Sequence, residues 1–456
     1  MSSQISRRRF LKLAASLGGT AAITALGGCQ APTQATPAGG AGEAPTNSPP
    51  PQAVELRFIK LSMADSVAPY FNDKAIPRFQ EENPGITVKV DMSDWDHLGE
   101  KLLTSFAGNI PIDLVETGSD WVGPYAKRKQ FLPIDDFVSG YTEMDNFYKE
   151  MVDISRYQGK LMALPYILDV RTMCYRKDQF QEVGLDPEKP PDTWDDLVAF
   201  ASKLVQSDAQ GTITRAGYMI DASTPSGAFF EFWYLLVQNG SGVIVPWESW
   251  DAKDVAFNGP EGVEALQFLT DLINKYKVSP ISGMSAKTPN LSALAEGVTS
   301  MTIQGAWEIG NWKTYQPDKL SVLGIGVPLM KKKRLQYACP NVYAIGTNTK
   351  VPDKAFSLMK YMVSKDVIVG LLGPESNLPP RKDVAAEAEY MKDPMLRKFQ
   401  DVVEKGWGTT TPQATDFPTL EIVGNYVQAV LRQEMGVEEA LNKSAEEVKK
   451  KIQEQA

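Results

Sequence analysis

Residues 54–129 switch repeatedly between two hydrophobic periods, and that switching restricts the fold more than any other feature of the chain. Val54-Glu55-Leu56-Arg57-Phe58-Ile59 alternates with the two-residue period of a strand. Residues 66–82 read as a helix that stops at Asn83-Pro84-Gly85, a strong turn signal. Ile86-Thr87-Val88-Lys89-Val90 is the next strand. Asp94 suits the cap of a helix whose Trp95, Leu98, Leu102 and Phe106 share one face. Ile112-Asp113-Leu114-Val115 makes a third strand, followed by a helix near 120–129. Three successive βα units predict the start of a doubly wound α/β sheet.

The remainder continues in the same manner. Thr193, with Asp196 at the N3 position, predicts a helix starting at Trp194. Pro260 fits the first position of a helix carrying Val263, Leu266, Leu269, Leu272 and Ile273. Strands are expected at 299–303, 322–327 and 341–346. The last 60 residues read as wholly helical, ending in a Lys/Glu-rich amphipathic helix from Val437. No fixed-period repeat is visible, which excludes a solenoid. A folded body from Val54 to Ala456 exceeds what one core supports, so two lobes are expected.

The first 28 residues carry an address rather than a fold. They hold Arg7, Arg8, Arg9 and Lys12, no acidic residue, and then sixteen small or apolar residues from Leu13 to Gly28. Ser6-Arg7-Arg8-Arg9-Phe10-Leu11-Lys12 matches the twin-arginine export motif at every position. Leu26-Gly27-Gly28-Cys29 resembles a bacterial lipobox, in which the Cys is acylated after cleavage, so residues 1–28 are expected to be a signal peptide and Cys29 a lipid anchor. Removing 1–28 would take the net charge from −9 to −13. Residues 29–53, rich in Pro, Gly, Ala and Thr, cannot bury enough apolar surface to order and should act as a tether.

Composition excludes several functions. With 47 basic and 56 acidic residues, the chain lacks the positive surface that nucleic acid needs. One histidine, His97, and three cysteines cannot build a multi-His or Cys-rich metal site, and they disfavour His-dependent nucleophilic catalysis. No cofactor motif is visible.

Scattered motifs across Val54–Ala456 resemble the extracellular solute-binding proteins of carbohydrate ABC importers, the family of maltose-binding-protein-like receptors. Phe79 to Ile86, with Pro84-Gly85, is similar to the family's opening phrase. Tyr157-Gln158-Gly159-Lys160-Leu161-Met162-Ala163-Leu164-Pro165 matches "Y-x-G-K-x-Y-A-L-P". Tyr175-Arg176-Lys177-Asp178-Gln179-Phe180 stands for "Y-N-K-D-L-F", with Arg176 in place of the usual Asn. Pro191-Asp192-Thr193-Trp194-Asp195-Asp196-Leu197 and Met301-Thr302-Ile303-Gln304-Gly305-Ala306-Trp307 match two further phrases. The resemblance implies a type II periplasmic-binding-protein-like fold: two α/β lobes joined by hinge crossovers near 169–173, 334–341 and 378–381, with ligand in the cleft. The implied lobes are 54–168 with 340–378, and 171–335 with 382–456.

Sugars need hydrogen-bonding side chains for paired hydroxyls and flat rings for their C–H faces. The strand-end rule and the resemblance together nominate nine residues. Asp65 follows the first strand, as a ligand contact or a helix cap. Asp120 and Trp121 follow the third, Asp120 as a sugar contact or as the cap of the next helix. Asp169 and Arg171 lie on the first crossover, facing the cleft or pairing with each other. Trp307 is read as ending a strand, and either stacks on sugar or packs in the core. Trp233, in the run Phe229-Phe230-Glu231-Phe232-Trp233-Tyr234, is either core or contact. Asn341 and Arg381 lie at the second and third crossovers. Trp247 and Trp250 are candidates for the rim. Cys174 and Cys339, beside two crossovers, are either bridged or two buried thiols.

The implied partners are a small-molecule carbohydrate and ABC permease subunits, with the membrane reached only through the lipid anchor, no nucleic acid, and a monomeric state. The alternatives are a receptor for another solute such as glycerol phosphate, for which Arg171 and Arg381 could supply positive charge, a secreted carbohydrate-active enzyme, and a partner of a membrane sensor kinase.

Overall fold

Strand β1 (Val54–Leu61) pairs in parallel with β2 (Ile86–Ser93) on one side and β3 (Leu114–Gly118) on the other. Leu56 and Phe58 enter one apolar cluster, whereas Ile59 and Leu61 enter another. Burial on both faces is what parallel strands with βα crossovers require. This computed structural model describes residues 53–414 and 417–454. The export motif, Cys29 and all but the last residue of the expected tether therefore lie outside the described residues.

Five more strands extend this sheet. β4 (Ala163–Arg176) is 14 residues long, and beyond it come β5 (Met301–Gly305) and β6 (Leu323–Ile325). β7 (Gln336–Ala344) lies antiparallel between β4 and β3, and the two-residue β8 (Gly408–Thr409) runs parallel to β7. The order is β6-β4-β7-β3-β1-β2, with β5 also on β4 and β8 on β7.

The cores lie along this shared sheet. Leu164 and Leu168 of β4 pack with Phe58, Tyr343 and Phe356. Met173 and Tyr175, further along the same strand, pack with Trp194, Phe232, Leu266 and Val427. The chain is thus a two-lobed α/β fold in which β4 and β7 run through both lobes. Leu294, Ile309, Val384, Leu396 and Phe399, which the expected boundaries give to the second lobe, pack in the first cluster.

Local signals account for the helices that frame the cleft. Asp94 caps helix α1 (Trp95–Ala107) by accepting the His97 backbone N–H at 2.9 Å. Helix α2 (Val122–Lys127) follows β3 after a single 3-10 turn. Helix α3 (Trp194–Leu204) opens on the full Thr193–Asp196 capping box. Helix α4 (Pro225–Gln238) has Pro at N1 and a Thr224 cap, and helix α5 (Pro260–Asn274) also starts on proline. Helix α6 (Trp307–Tyr315) follows β5 after one residue.

Three expectations change, and one open alternative closes. The helix read over 66–82 begins at Ala68 and widens into a π turn at Phe71–Ala75, because Pro77 has no N–H to donate to the preceding turn. Trp307 does not end a strand: β5 stops at Gly305, and Trp307 is the first residue of α6. The C-terminal region is not wholly helical, since Gly406, at φ +67°, ends one helix and Gly408–Thr409 joins the sheet. Of the two readings of Cys174 and Cys339, the second holds: both are free, buried thiols. Cys339 sits opposite Asp169 in the ladder, so Cys174, five residues further along β4, is roughly 16 Å away, beyond disulfide reach.

Candidate ligand-binding cleft

A cavity of about 640 Å³ lies over the C-terminal ends of β1 and β3 and the middle of β4 and β7. That volume suits a small organic ligand, and the position obeys the strand-end rule for open α/β sheets. α4 and α6 supply the opposite wall through Phe230, Trp307 and Gly310.

Arg171 organises the centre. Its Nε and Nη2 donate to the two carboxylate oxygens of Asp169 at 3.1 and 2.9 Å, and its Nη1 donates to the Tyr234 hydroxyl at 2.9 Å. The guanidinium also lies over three rings, 4.9 Å from the centroid of Tyr337, 5.5 Å from Phe230 and 5.6 Å from Trp307. A bidentate fork with three aromatic neighbours fixes the side chain in one pose. The Trp307 ring folds back over Gly305, where a Cβ would stand 2.0 Å from it, so only glycine accommodates this pose.

Asp120 is the second polar feature. Its carboxylate folds over Gly118, where a Cβ would meet Oδ1 at 2.1 Å. Burial pushes its carboxyl up to about 6, and the nearby Asp169 charge adds to this, against its own and the Trp121 backbone N–H groups and Arg171. A carboxyl raised above its unfolded value makes the folded state less stable as pH climbs from about 4 to about 6, and the deficit persists above that window. Asp120→Asn is therefore expected to raise the stability of the ligand-free protein at pH 7 by roughly 1–3 kcal/mol and to change it little at pH 4. Urea midpoints at both pH values measure this, and an equal effect at the two would refute the assignment.

Trp121 stacks on Tyr125 with planes 2° apart and meets the half-exposed Trp95 edge-on at 6.1 Å between centroids. A third polar group lies where β1 and β3 end. Lys60, buried, forms an ion pair with Glu116, which also accepts the Tyr166 hydroxyl. Tyr166 stacks on Tyr343 at 4.4 Å. Glu375 stands nearby, accepting the Asn377 side-chain amide at 3.0 Å, and burial pushes its carboxyl up. The Gly310 backbone of α6 packs so tightly on Glu375 that a Cβ would lie 2.6 Å from the Glu375 main chain.

Of the nine nominated residues, Asp120, Trp121, Asp169, Arg171, Trp307 and Asn341 line this cavity. Asp65 is exposed and outside the lining, although Ala64 and Ser66 on either side belong to it. Trp233 is 1% exposed inside the second core, against Phe230, Tyr234 and Tyr337. Arg381 is equally buried and bonded to Asp383, Glu143 and the Val363 carbonyl, so it is a structural ion pair away from the cleft. Trp250 is also off the lining: it packs edge-on to Tyr157 and under Lys127. The Trp247 carbonyl accepts the Gln413 N–H.

Sequence reasoning passed over Phe230, Tyr337, Lys60, Glu116 and Glu375. Tyr337 was within reach of strand parity, since it shares a face with Cys339 and Asn341. Phe230 was not, because α4 is apolar nearly all round and periodicity does not say which ring meets the cleft.

The chain belongs to the bacterial extracellular solute-binding protein family, which its residues 74–398 match. A protein of Brucella abortus (strain 2308), named as a binding protein, is 23% identical over 353 residues, 76% of this chain and 81% of that one. The sn-glycerol-3-phosphate-binding periplasmic protein of Escherichia coli (strain K12) is 28% identical over 163 residues, 34% of each chain. Among solved structures, the ABC transporter solute-binding protein of Thermotoga lettingae bound with α-D-tagatose superposes with a TM-score of 0.75 at 24% identity, covering 87% of this chain and 99% of that one. Maltose-bound MalE3 of T. maritima gives 0.74 at 21% identity, with coverage of 87% and 99%. These likenesses establish the two-lobed periplasmic-binding-protein fold. Among the described residues, no helix is long and apolar enough to cross a membrane.

Proposed function

We propose that this protein captures a sugar or short oligosaccharide in the cleft and delivers it to the permease of an ABC importer. The observation that carries the reading is the lining itself. Flat rings (Trp121, Trp307, Phe230 and Tyr337) stand beside fixed polar groups (Asp120, Asp169, Arg171 and Asn341) in one cavity between two cores. Rings suit the C–H faces of a pyranose, and the polar groups suit its hydroxyls. The fold neighbours bound to tagatose and maltose support the same class.

On this reading the protein binds without altering its ligand. Its two lobes close over the sugar by bending at the crossovers. Residues 1–28 direct export, Cys29 carries the lipid, residues 30–53 act as the tether, and the exported body acts as a monomer at the outer face of the membrane. A thermal-shift screen over mono- and oligosaccharides tests the reading. A ligand at about 100 times its Kd adds ~2.7 kcal/mol to native stability, a rise of some degrees in Tm. A flat response across the panel would refute carbohydrate capture, and new reducing ends in the incubated glycans would replace it with hydrolysis.

A further inference from the structure

The cleft has an unusual charge balance for a site that contains an arginine and a lysine. Among the described residues lining it, those two are the cations, against the carboxylates of Asp96, Glu116, Asp120, Asp169 and Glu375. Both cations are already engaged. Lys60 pairs with Glu116 and donates to the Leu61 carbonyl at 3.2 Å. Arg171 forms its two-pronged contact with Asp169.

We propose that Asp169 masks the charge of Arg171, and that this masked pair makes the cleft discriminate against anionic sugars in favour of uncharged ones. The inference rests on the carbohydrate reading above and names the residues that set its specificity.

The geometry shows why the mask holds. A guanidinium has five N–H donors. Three are taken, two by Asp169 and one by Tyr234, which leaves one on each Nη. Phe230, Trp307 and Tyr337 surround the group, so it cannot swing toward a ligand without breaking its fork with Asp169. What faces the ligand is therefore a neutral pair with two remaining donors. Such a pair can hydrogen-bond a hydroxyl or ring oxygen, but it offers little net attraction to a carboxylate or phosphate. Asp120 and Glu375 strengthen the bias, because among the described residues no cation lies within ion-pair distance of either. Beyond burial, the Asp169 charge raises the Asp120 carboxyl more than Arg171 lowers it, as a masked guanidinium would. An entering anion would meet like charges in a poorly solvated cleft, where repulsion is weakly screened. The arrangement also sets this cleft apart from a phosphate site built on unpaired cations.

The experiment compares matched pairs by isothermal titration: D-glucose with D-glucuronate, D-galactose with D-galacturonate, and D-mannose with D-mannuronate, with sn-glycerol 3-phosphate as a further anion. The wild-type protein is expected to bind the neutral member of a pair at least tenfold more tightly than the acid. In Asp169→Asn that ratio should shrink at least tenfold, with measurable gain on the acid. The double variant Asp169→Asn/Arg171→Gln, which removes the unmasked cation, should lose the gain. Asp120→Asn should shrink the ratio in the same direction, and it carries the test should Asp169→Asn fail to fold. Wild-type preference for the acid, or a ratio unmoved in Asp169→Asn and Asp120→Asn, overturns the proposal. A protein that binds no member of any pair and no other glycan overturns the carbohydrate reading, and this inference with it.

Discussion

Trp307→Ala is expected to weaken sugar binding by a factor of about thirty, while the free protein keeps its Tm within a few degrees. The ring is only partly buried and lies back over Gly305, with the Arg171 guanidinium 5.6 Å from its centroid. Covering such a ring with a sugar face removes apolar area from water on both partners, worth roughly 2 kcal/mol, or about thirtyfold in Kd. Little core depends on it, because Ile309 and Trp312 anchor α6 on its buried side. Isothermal titration with whichever sugar the thermal screen identifies provides the number. Unchanged affinity would remove Trp307 from the ligand surface, whereas a large drop in Tm would make it part of the core.

Trp233→Ala should show the opposite division. Its indole is 1% exposed, packed edge-on against Phe230, Tyr234 and Tyr337 within the second core. Removing a buried ring of that size costs roughly 3–5 kcal/mol, a large share of the ~5–15 kcal/mol that keeps a domain folded. Urea or thermal unfolding should therefore show a severe loss of stability. Phe230, Tyr234 and Tyr337 also hold Arg171, so any loss of affinity would follow from their loosening. A stability change below about 1 kcal/mol would contradict the packing.

The contrast between these two tryptophans shows what the sequence could and could not disclose. Elements with a clean period and a cap were legible: the first two parallel strands, the Asp94-capped helix, the Thr193 capping box, and the proline-led helix from Pro260 all lie where their residues place them. Boundaries failed where tertiary pairing overrode local signals. Gln336–Cys339 joins a strand only because β4 and β8 flank it, and Gly408–Thr409 interrupts the helical tail for the same reason. In the site, residues tied to strand ends and crossovers came within reach, whereas those in a uniformly apolar helix did not. Trp233 and Phe230 are three residues apart in one aromatic run, and only the packing distinguishes the core ring from the cleft ring. Arg381 looked like an available cation because sequence does not reveal that Glu143 and Asp383 already enclose it.

Asp169, Arg171, Tyr337 and Asn341 all ride on β4 and β7, the paired ribbon that threads both halves of the molecule. The ladder between these strands slips register between Asn341 and Val342, and Pro340, opposite Leu168, has no N–H to give. On the proposed reading, the grip and the flexure occupy one piece of backbone. A guest held between these four side chains would splint that ribbon at its weakest rung, so occupancy could be geared directly into the angle of two rigid arms, with no relay of side chains carrying the message outward.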